Sequence, residues 1–361
     1  MTRSTVEVDL AAVHENARRL IEVARGSRLW AVVKADGYGH GAVECARAAL
    51  SAGAERVCCA TLDEASELRE ALGPSTAIVV LSPLEPGEEL AAGGLEIVAS
   101  SHEAYRRLSA AGVSCGVHVK ADTGMGRWGM PPADAVAVSR ELAAANGPLH
   151  LAGVMSHLAT ADGDAEFAAL QTEAFAALAQ ECPPCPRHLA NSAAALTLPG
   201  TRFDAVRCGI ALYGVSPFEG DPAEHGLRPA LRWTSRVAGV RELAPGQSAG
   251  YGRRLIAGER LRVASVPVGY ADGYPRLASG RADVLVRGLR RPVAATVSMD
   301  QLSCVVSQDV QLGDEVVLLG AQEDERITAE ELARHAETIG YEIVCAANLA
   351  VRRGERVFIG R

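Results

Sequence analysis

RLWAVVKADGYGHGAVECARAALSAGAERVCCAT, residues 28–61, places a short apolar run, a glycine-bearing turn, a helical Ala/Arg/Glu stretch and a second apolar run in succession. That order spells a strand, a helix and a strand. The rhythm continues through residue 209. Its candidate strands are RLWAVVK (28–34), RVCCAT (56–61), AIVVLS (77–82), LEIVAS (95–100), SCGVHVK (114–120), LAGVMSH (151–157), PRHLAN (186–191) and FDAVRCG (203–209). Helical stretches such as DAEFAALQTEAFAALAQE intervene, with Gly or Pro at their ends. Eight parallel strands with crossover helices fit an N-terminal (β/α)8 TIM barrel, assigned to residues 10–222, better than an open doubly wound sheet.

Beyond residue 222 the segments RVAGVREL, RLRVASVPVGY, ADVLVRG, RPVAATVSM, LSCVVSQ and DEVVLLG are strand-like and separated by short turns. They predict a C-terminal mainly-β domain over 223–361. One helix, TAEELARHAETIG, interrupts it with Thr328 as N-cap. The Pro- and Gly-rich SPFEGDPAEHGLRP reads as the linker. The opening STVEVDL is strand-like, and strand 1–9 is assigned with the β domain.

The 361 residues are 48% hydrophobic and 22% charged, an ordinary globular composition. A net charge of -8 argues against a nucleic-acid partner, which would call for a basic face. No stretch reaches the length that spans a bilayer, and MTRSTVEVDL lacks the apolar core of a signal peptide, so no membrane partner and a cytoplasmic location are expected. The nine cysteines lie mostly in apolar runs and imply no disulfide framework. Cys182 and Cys185 have metal-like spacing without a second pair, so no metal is expected.

In a barrel, chemistry sits at the C-terminal ends of the strands. Here the first strand ends at Lys34, the fifth at Lys120 with Asp122 and Arg127 following, the sixth at His157, the seventh at Asn191 and Ser192, and the eighth at Arg207 and Gly209. An amine emerging from the apolar WAVV wall would lose stability as an ammonium and gain nucleophilicity. A surface lysine at a strand end fits the same context. The stretches Asn191-Ser192-Ala193-Ala194 and Gly209-Ile210 offer amides and a hydroxyl to an anion, or simply cap helices. Arg207 within an apolar strand needs a partner, and a salt bridge would suffice; His157 fits a satisfied core histidine equally.

Ten stretches together resemble the alanine racemase family over nearly the whole chain. They are AVVKADGYGHG (31–41), CCATLDEASELR (58–69), KADTGMGRWG (120–129), MSHLATAD (155–162), ANSAA (190–194), VRCGIALYG (206–214), AGYGRRL (249–255), VGYADGYPR (268–276), SMDQ (298–301) and TIGYEIVC (338–345). The resemblance implies pyridoxal 5'-phosphate, an amino-acid substrate and a homodimer with shared active sites. By it, Lys34 anchors the cofactor and Tyr251 of the partner subunit opposes it. Tyr38, Ser192, Gly209, Ile210 and Tyr341 match phosphate-binding positions, with Asn191 beside them. Arg207 matches the arginine facing the pyridine nitrogen, His157 its hydrogen-bond partner, and Arg127 the contact to the phenolic oxygen. Lys120 matches a position that is often carbamylated. Met299 matches a substrate-side position from the second subunit, with Asp300 its neighbour, and Asp162, Tyr270 and Arg276 match the entrance. One departure is Thr296, where the family frequently has arginine; a smaller uncharged residue there bears on substrate access.

Inverting a Cα centre takes a proton from one face and returns one to the other, so two opposed acid/base groups are needed. The resemblance gives these roles to Lys34 and Tyr251, with D-alanine for peptidoglycan as the implied product. A racemase of serine or another amino acid, a decarboxylase of similar architecture and a non-catalytic cofactor carrier are the competing readings.

Overall fold

The computed structural model describes residues 2–360, and the chain forms two compact units. The first comprises His14–Gly37 and Gly41–Leu212; the second comprises residues 2–13, Tyr38–His40 and residues 213–360.

In the first unit, Arg28–Val32, Arg56–Cys59, Ile78–Val80, Glu96–Ala99, Cys115–Lys120, Leu149–Met155, Arg187–His188 and Ala205–Cys208 close a parallel barrel. The eighth strand pairs back onto the first, with Trp30 opposite Arg207. The barrel strands are almost entirely buried, as expected of a parallel sheet covered by helices. Helix starts follow the side chains available. Thr61 and Glu64 form a reciprocal capping box at Leu62–Leu72, and Asp164 caps Ala165–Glu181 by accepting the Phe167 N–H at 3.0 Å.

Two strand ends differ from expectation. The first strand stops at Val32, so Lys34 heads a turn instead of ending a strand. The seventh is reduced to Arg187–His188, although the ladder continues through a 3.0 Å bond from Arg207 N to Ala190 O.

Trp30 has no exposed surface, packs its ring against His118 and His188, and donates Nε1–H to Glu55 at 2.9 Å. Trp30→Ala should therefore cost about 3–5 kcal/mol, from lost burial and an uncollapsed cavity. Urea unfolding of the purified variant checks this; a cost under about 1 kcal/mol would contradict the packing.

In the second unit the main sheet runs Leu289–Pro292, Asp283–Val286, Glu315–Gln322, Leu231–Arg236, Thr5–Asp9, Glu355–Ile359. The opening strand pairs antiparallel to Leu231–Arg236 and parallel to Glu355–Ile359. Gly239–Leu243, Leu261–Val266 and Leu302–Val305 form a second sheet.

Two expectations need correction. The single helix is two, Ala329–His335 and Gly340–Val351, because the Ala/Leu content of VCAANLAV favours helix after the β-branched start of TIGYEIVC. Thr328 does cap the first of them. The run RPVAATVSM is strand only through Pro292. Beyond it Val293, Ala295 and Val297 still alternate inward, but the Val297 N–H bonds the Ser279 hydroxyl at 2.9 Å instead of a ladder carbonyl. By contacts, the stretch SPFEGDPAEHGLRP groups with the second unit, where Asp221 caps the turn Pro222–His225, and the two units divide between Leu212 and Tyr213. Among the described residues no helix is long and apolar enough to cross a membrane.

Candidate active site

After Val33 the backbone turns left-handed. Ala35, Asp36, Gly37 and Tyr38 have φ of 53°, 52°, 62° and 52°. For L-residues this conformation costs roughly 1–2 kcal/mol each, so it persists only where neighbours over-determine it. The neighbours are identifiable: Gly37 N bonds Val33 O at 2.8 Å, Ala35 N bonds Glu64 Oε1 at 2.7 Å, and Asp36 Oδ1 accepts the Ala42 N–H at 3.0 Å. The turn sets the half-buried Lys34 at the mouth of the first strand.

Around it gather the polar ends of other strands. Lys120, 4% exposed, is held down to about 8 by burial first, then by the charges of Arg207, Arg127 and Lys34, with Asp122 opposing. The same cations and Lys120 act on His157, whose imidazole burial already pushes well below its ordinary value. Four cations and a neutral histidine therefore share one end of the barrel. The exposed Trp128 lies against both Lys120 and Arg127, at 5.6 and 5.1 Å from their charged groups. Asp122 is turned into its own loop, accepting the amides of Gly124, Met125 and Gly126.

Arg207 is buried, and its described partners are uncharged: the carbonyls of His188, Ser156 and Leu189, His188 Nδ1 at 2.8 Å and His157 Nδ1 at 3.2 Å. No salt bridge to a carboxylate is found for it among the described residues. Because a guanidinium only donates, His157 Nδ1 must accept, leaving its proton on Nε2. Ser192 Oγ accepts the amides of Gly209 at 3.0 Å and Ala211 at 3.4 Å, joining the ends of the seventh and eighth strands beside buried Ile210. The Asn191 side chain caps Ser192–Thr197 by accepting the Ala194 N–H. Asp162 is exposed on the same unit.

The second unit holds the remaining positions. Tyr38 lies between Tyr213 and Tyr341, at ring-centroid distances of 5.2 and 6.3 Å. Gly39 is required there, since a Cβ would stand 2.3 Å from Val344 O. Tyr251 is 74% exposed, on a turn between the short strands Ser248–Ala249 and Leu255–Ile256. Thr296 is buried and donates its hydroxyl to Tyr251 O at 2.9 Å, so it holds the turn carrying the phenol. Tyr270 and Met299 are exposed on adjoining loops, Tyr270 N bonding Ser298 O and Ala271 N bonding Met299 O at 3.0 Å each. Arg276 and Asp300 are exposed, and Arg353 ties Asp300 to the buried Asp272. Sequence reasoning passed over His188, His118 and Glu96, whose signal was polar residues inside apolar barrel strands.

The comparisons agree with this architecture. The model for the alanine racemase N-terminal domain matches residues 8–217, and that for the C-terminal domain matches 230–355. Alanine racemase of Symbiobacterium thermophilum is 44% identical across 98% of this chain and 97% of its own length. That of Thermobifida fusca is 40% identical with the same coverage. The crystal structure of alanine racemase from D-cycloserine-producing Streptomyces lavendulae, 41% identical, superposes with a TM-score of 0.92 over 100% of this chain and 98% of that one. The barrel, the β domain and these matches define an isomerase, an amino-acid racemase. The chain belongs to the alanine racemase family.

Proposed function

We propose that this enzyme interconverts L- and D-alanine by a two-base mechanism, with pyridoxal 5'-phosphate held covalently on Lys34 and D-alanine supplied to peptidoglycan. The observation carrying the reading is the cluster of Lys34, Lys120, Arg127 and Arg207 at one end of the barrel, with Arg207 on neutral partners. The donor set fits the cofactor: one amine for the covalent link, and further cations to balance a phosphate ester and a phenolate. Lys34, Tyr38, Arg127, Ser192, Arg207, Gly209, Ile210 and Tyr341 would hold it, and once bound it supplies an electron sink that makes the substrate Cα–H acidic.

The chain supplies the rest. Lys34 Nζ exchanges the proton on one face of Cα, and the partner subunit's Tyr251 exchanges it on the other through Oη. The strong exposure of Tyr251 supports action outside its own chain, in a homodimer with shared sites. Arg127 orients the anionic substrate end. Arg207 presents donors only, so it would offer a hydrogen bond to the ring nitrogen of the bound cofactor without supplying a proton acceptor beside it. That would restrain the charge build-up that favours side transamination.

The test is turnover of a panel of L-amino acids with chiral product analysis. L-alanine should racemise at least about tenfold faster than serine, about 1.4 kcal/mol in transition-state energy. A reversed order, or no racemisation of alanine, refutes the assignment.

Lys120 carries a second expectation. With its ammonium destabilised to about 8, part of the population is free amine near neutral pH. The nitrogen can then attack carbon dioxide, forming a carbamate N–C bond and releasing a proton. Labelled bicarbonate should give a carbamate carbon resonance that strengthens as pH rises through about 8, and Lys120→Arg should lose it. A resonance unchanged in that variant would exclude this lysine.

A further inference from the structure

The barrel interior contains a line of polar contacts that the mechanism above does not use. Arg207 on the eighth strand donates to His188 Nδ1 on the seventh at 2.8 Å. His188 Nε2 meets His118 Nδ1 on the fifth at 3.0 Å, and His118 Nε2 meets Glu96 Oε2 on the fourth at 2.9 Å. Arg56 on the second strand donates Nε–H to the same Glu96 oxygen at 2.8 Å. Both histidines are completely buried under the Trp30 ring.

The chemistry gives the line one direction. Arginine cannot accept, so His188 Nδ1 accepts and its proton sits on Nε2. His118 Nδ1 must then accept, placing its proton on Nε2, where the Glu96 carboxylate receives it. Each donor points from Arg207 toward Glu96, and hydrogen bonds aligned this way polarise one another. Burial lowers both histidine pKa values, so both rings are neutral. Burial works against the Glu96 charge, but the bonds from His118 and Arg56 outweigh it and hold the carboxyl down to about 2.

The backbone is shaped to admit this line. A contact from the fifth strand to the seventh must pass the sixth, and there the residue is Gly153, where a Cβ would stand 2.6 Å from His118 Nδ1, the accepting atom. The pairing of the fifth and sixth strands also slips at this point, from Val117 opposite Leu151 to His118 opposite Gly153, leaving Ala152 as the extra residue of a bulge. Bulges re-aim side chains beside functional sites.

We propose that Glu96, acting through His118 and His188, is the remote counter-ion of Arg207, and that this line positions the guanidinium while keeping any carboxylate out of contact with it. A carboxylate directly on Arg207 would take up its donors and bring an anion close to the ring nitrogen. Two intervening neutral imidazoles supply the compensating charge from a distance. The proposal rests on the assignment of Arg207 to the site given above.

Nitrogen-15 NMR of the purified holoenzyme tests the line directly. His118 and His188 should both appear as neutral Nε2–H tautomers, unchanged between about pH 6 and pH 9. A charged ring, or the proton on Nδ1 of either, overturns the proposal, and this measurement needs no variant. In Glu96→Gln the His118 and His188 signals should both shift, with kcat falling about tenfold and KM moving less than about threefold. Unchanged signals, or shifted signals with unchanged kcat, would each overturn it. Arg56→Lys, which keeps a cation beside Glu96, should retain the tautomers and most of kcat; loss equal to that of Glu96→Gln would mean a merely structural role. Failure of the underlying site assignment looks different: Arg207→Lys would leave turnover intact while the two tautomers in the unsubstituted enzyme remained as described.

Discussion

Lys34→Ala is expected to abolish racemisation in both directions, by at least about 10⁴-fold in kcat, because in the proposed mechanism one nitrogen would both anchor the cofactor and exchange a proton at Cα. The loss should be chemical and not structural. The left-handed turn after Lys34 is held by backbone and carboxylate contacts, Ala35 N to Glu64, Ala42 N to Asp36 and Gly37 N to Val33 O, none of which uses the lysine side chain. The variant should therefore unfold thermally within a few degrees of the unsubstituted protein while losing the absorbance of a lysine-bound cofactor. Full turnover by Lys34→Ala would refute the central assignment.

Tyr251→Phe removes only the Oη atom, and its effect should be one-sided. Exchange of the α-proton with deuterated solvent should fall by about 10²–10⁴-fold from one enantiomer and much less from the other, since on the proposed two-base reading each base would serve one face of Cα. Stability should change by less than about 0.5 kcal/mol, because the phenol is largely exposed and the turn is held through its backbone by Thr296. Undiminished exchange from both enantiomers would argue against two bases. The same bond gives meaning to the departure at position 296: a short buried hydroxyl can reach Tyr251 O there, and its removal in Thr296→Val should loosen the turn more than it widens an entrance.

Much of this was legible along the chain because it depends on local pattern. Period and turn chemistry in residues 28–209 announced eight strand and helix pairs, and counting where each strand ended gathered Lys34, Lys120, His157, Ser192 and Arg207 at one end of a barrel. The errors arose where pattern is degenerate. Val, Ile and Ala serve a buried helix and a buried strand alike, so Gly340–Val351 was not separated from the β segments around it. Val293, Ala295 and Val297 alternate as a strand would, yet meet no continuous edge.

The sequence by itself determined the class of fold and which polar side chains stand at the strand ends on one end of the barrel, because strand alternation and βα succession are written in neighbouring residues. Only the tertiary structure decided what each polar group answers to. Arg207 could have met a carboxylate directly; it meets His188, and through His118 reaches Glu96, more than a hundred residues away along the chain. The left-handed course after Lys34 was equally invisible, since Ala35 and Asp36 have no intrinsic preference for it. In both cases the deciding energy lies in contacts between elements far apart along the chain, the opening left by Gly153 on the sixth strand and the amide clamp from Glu64 on the helix Leu62–Leu72, which no local propensity encodes.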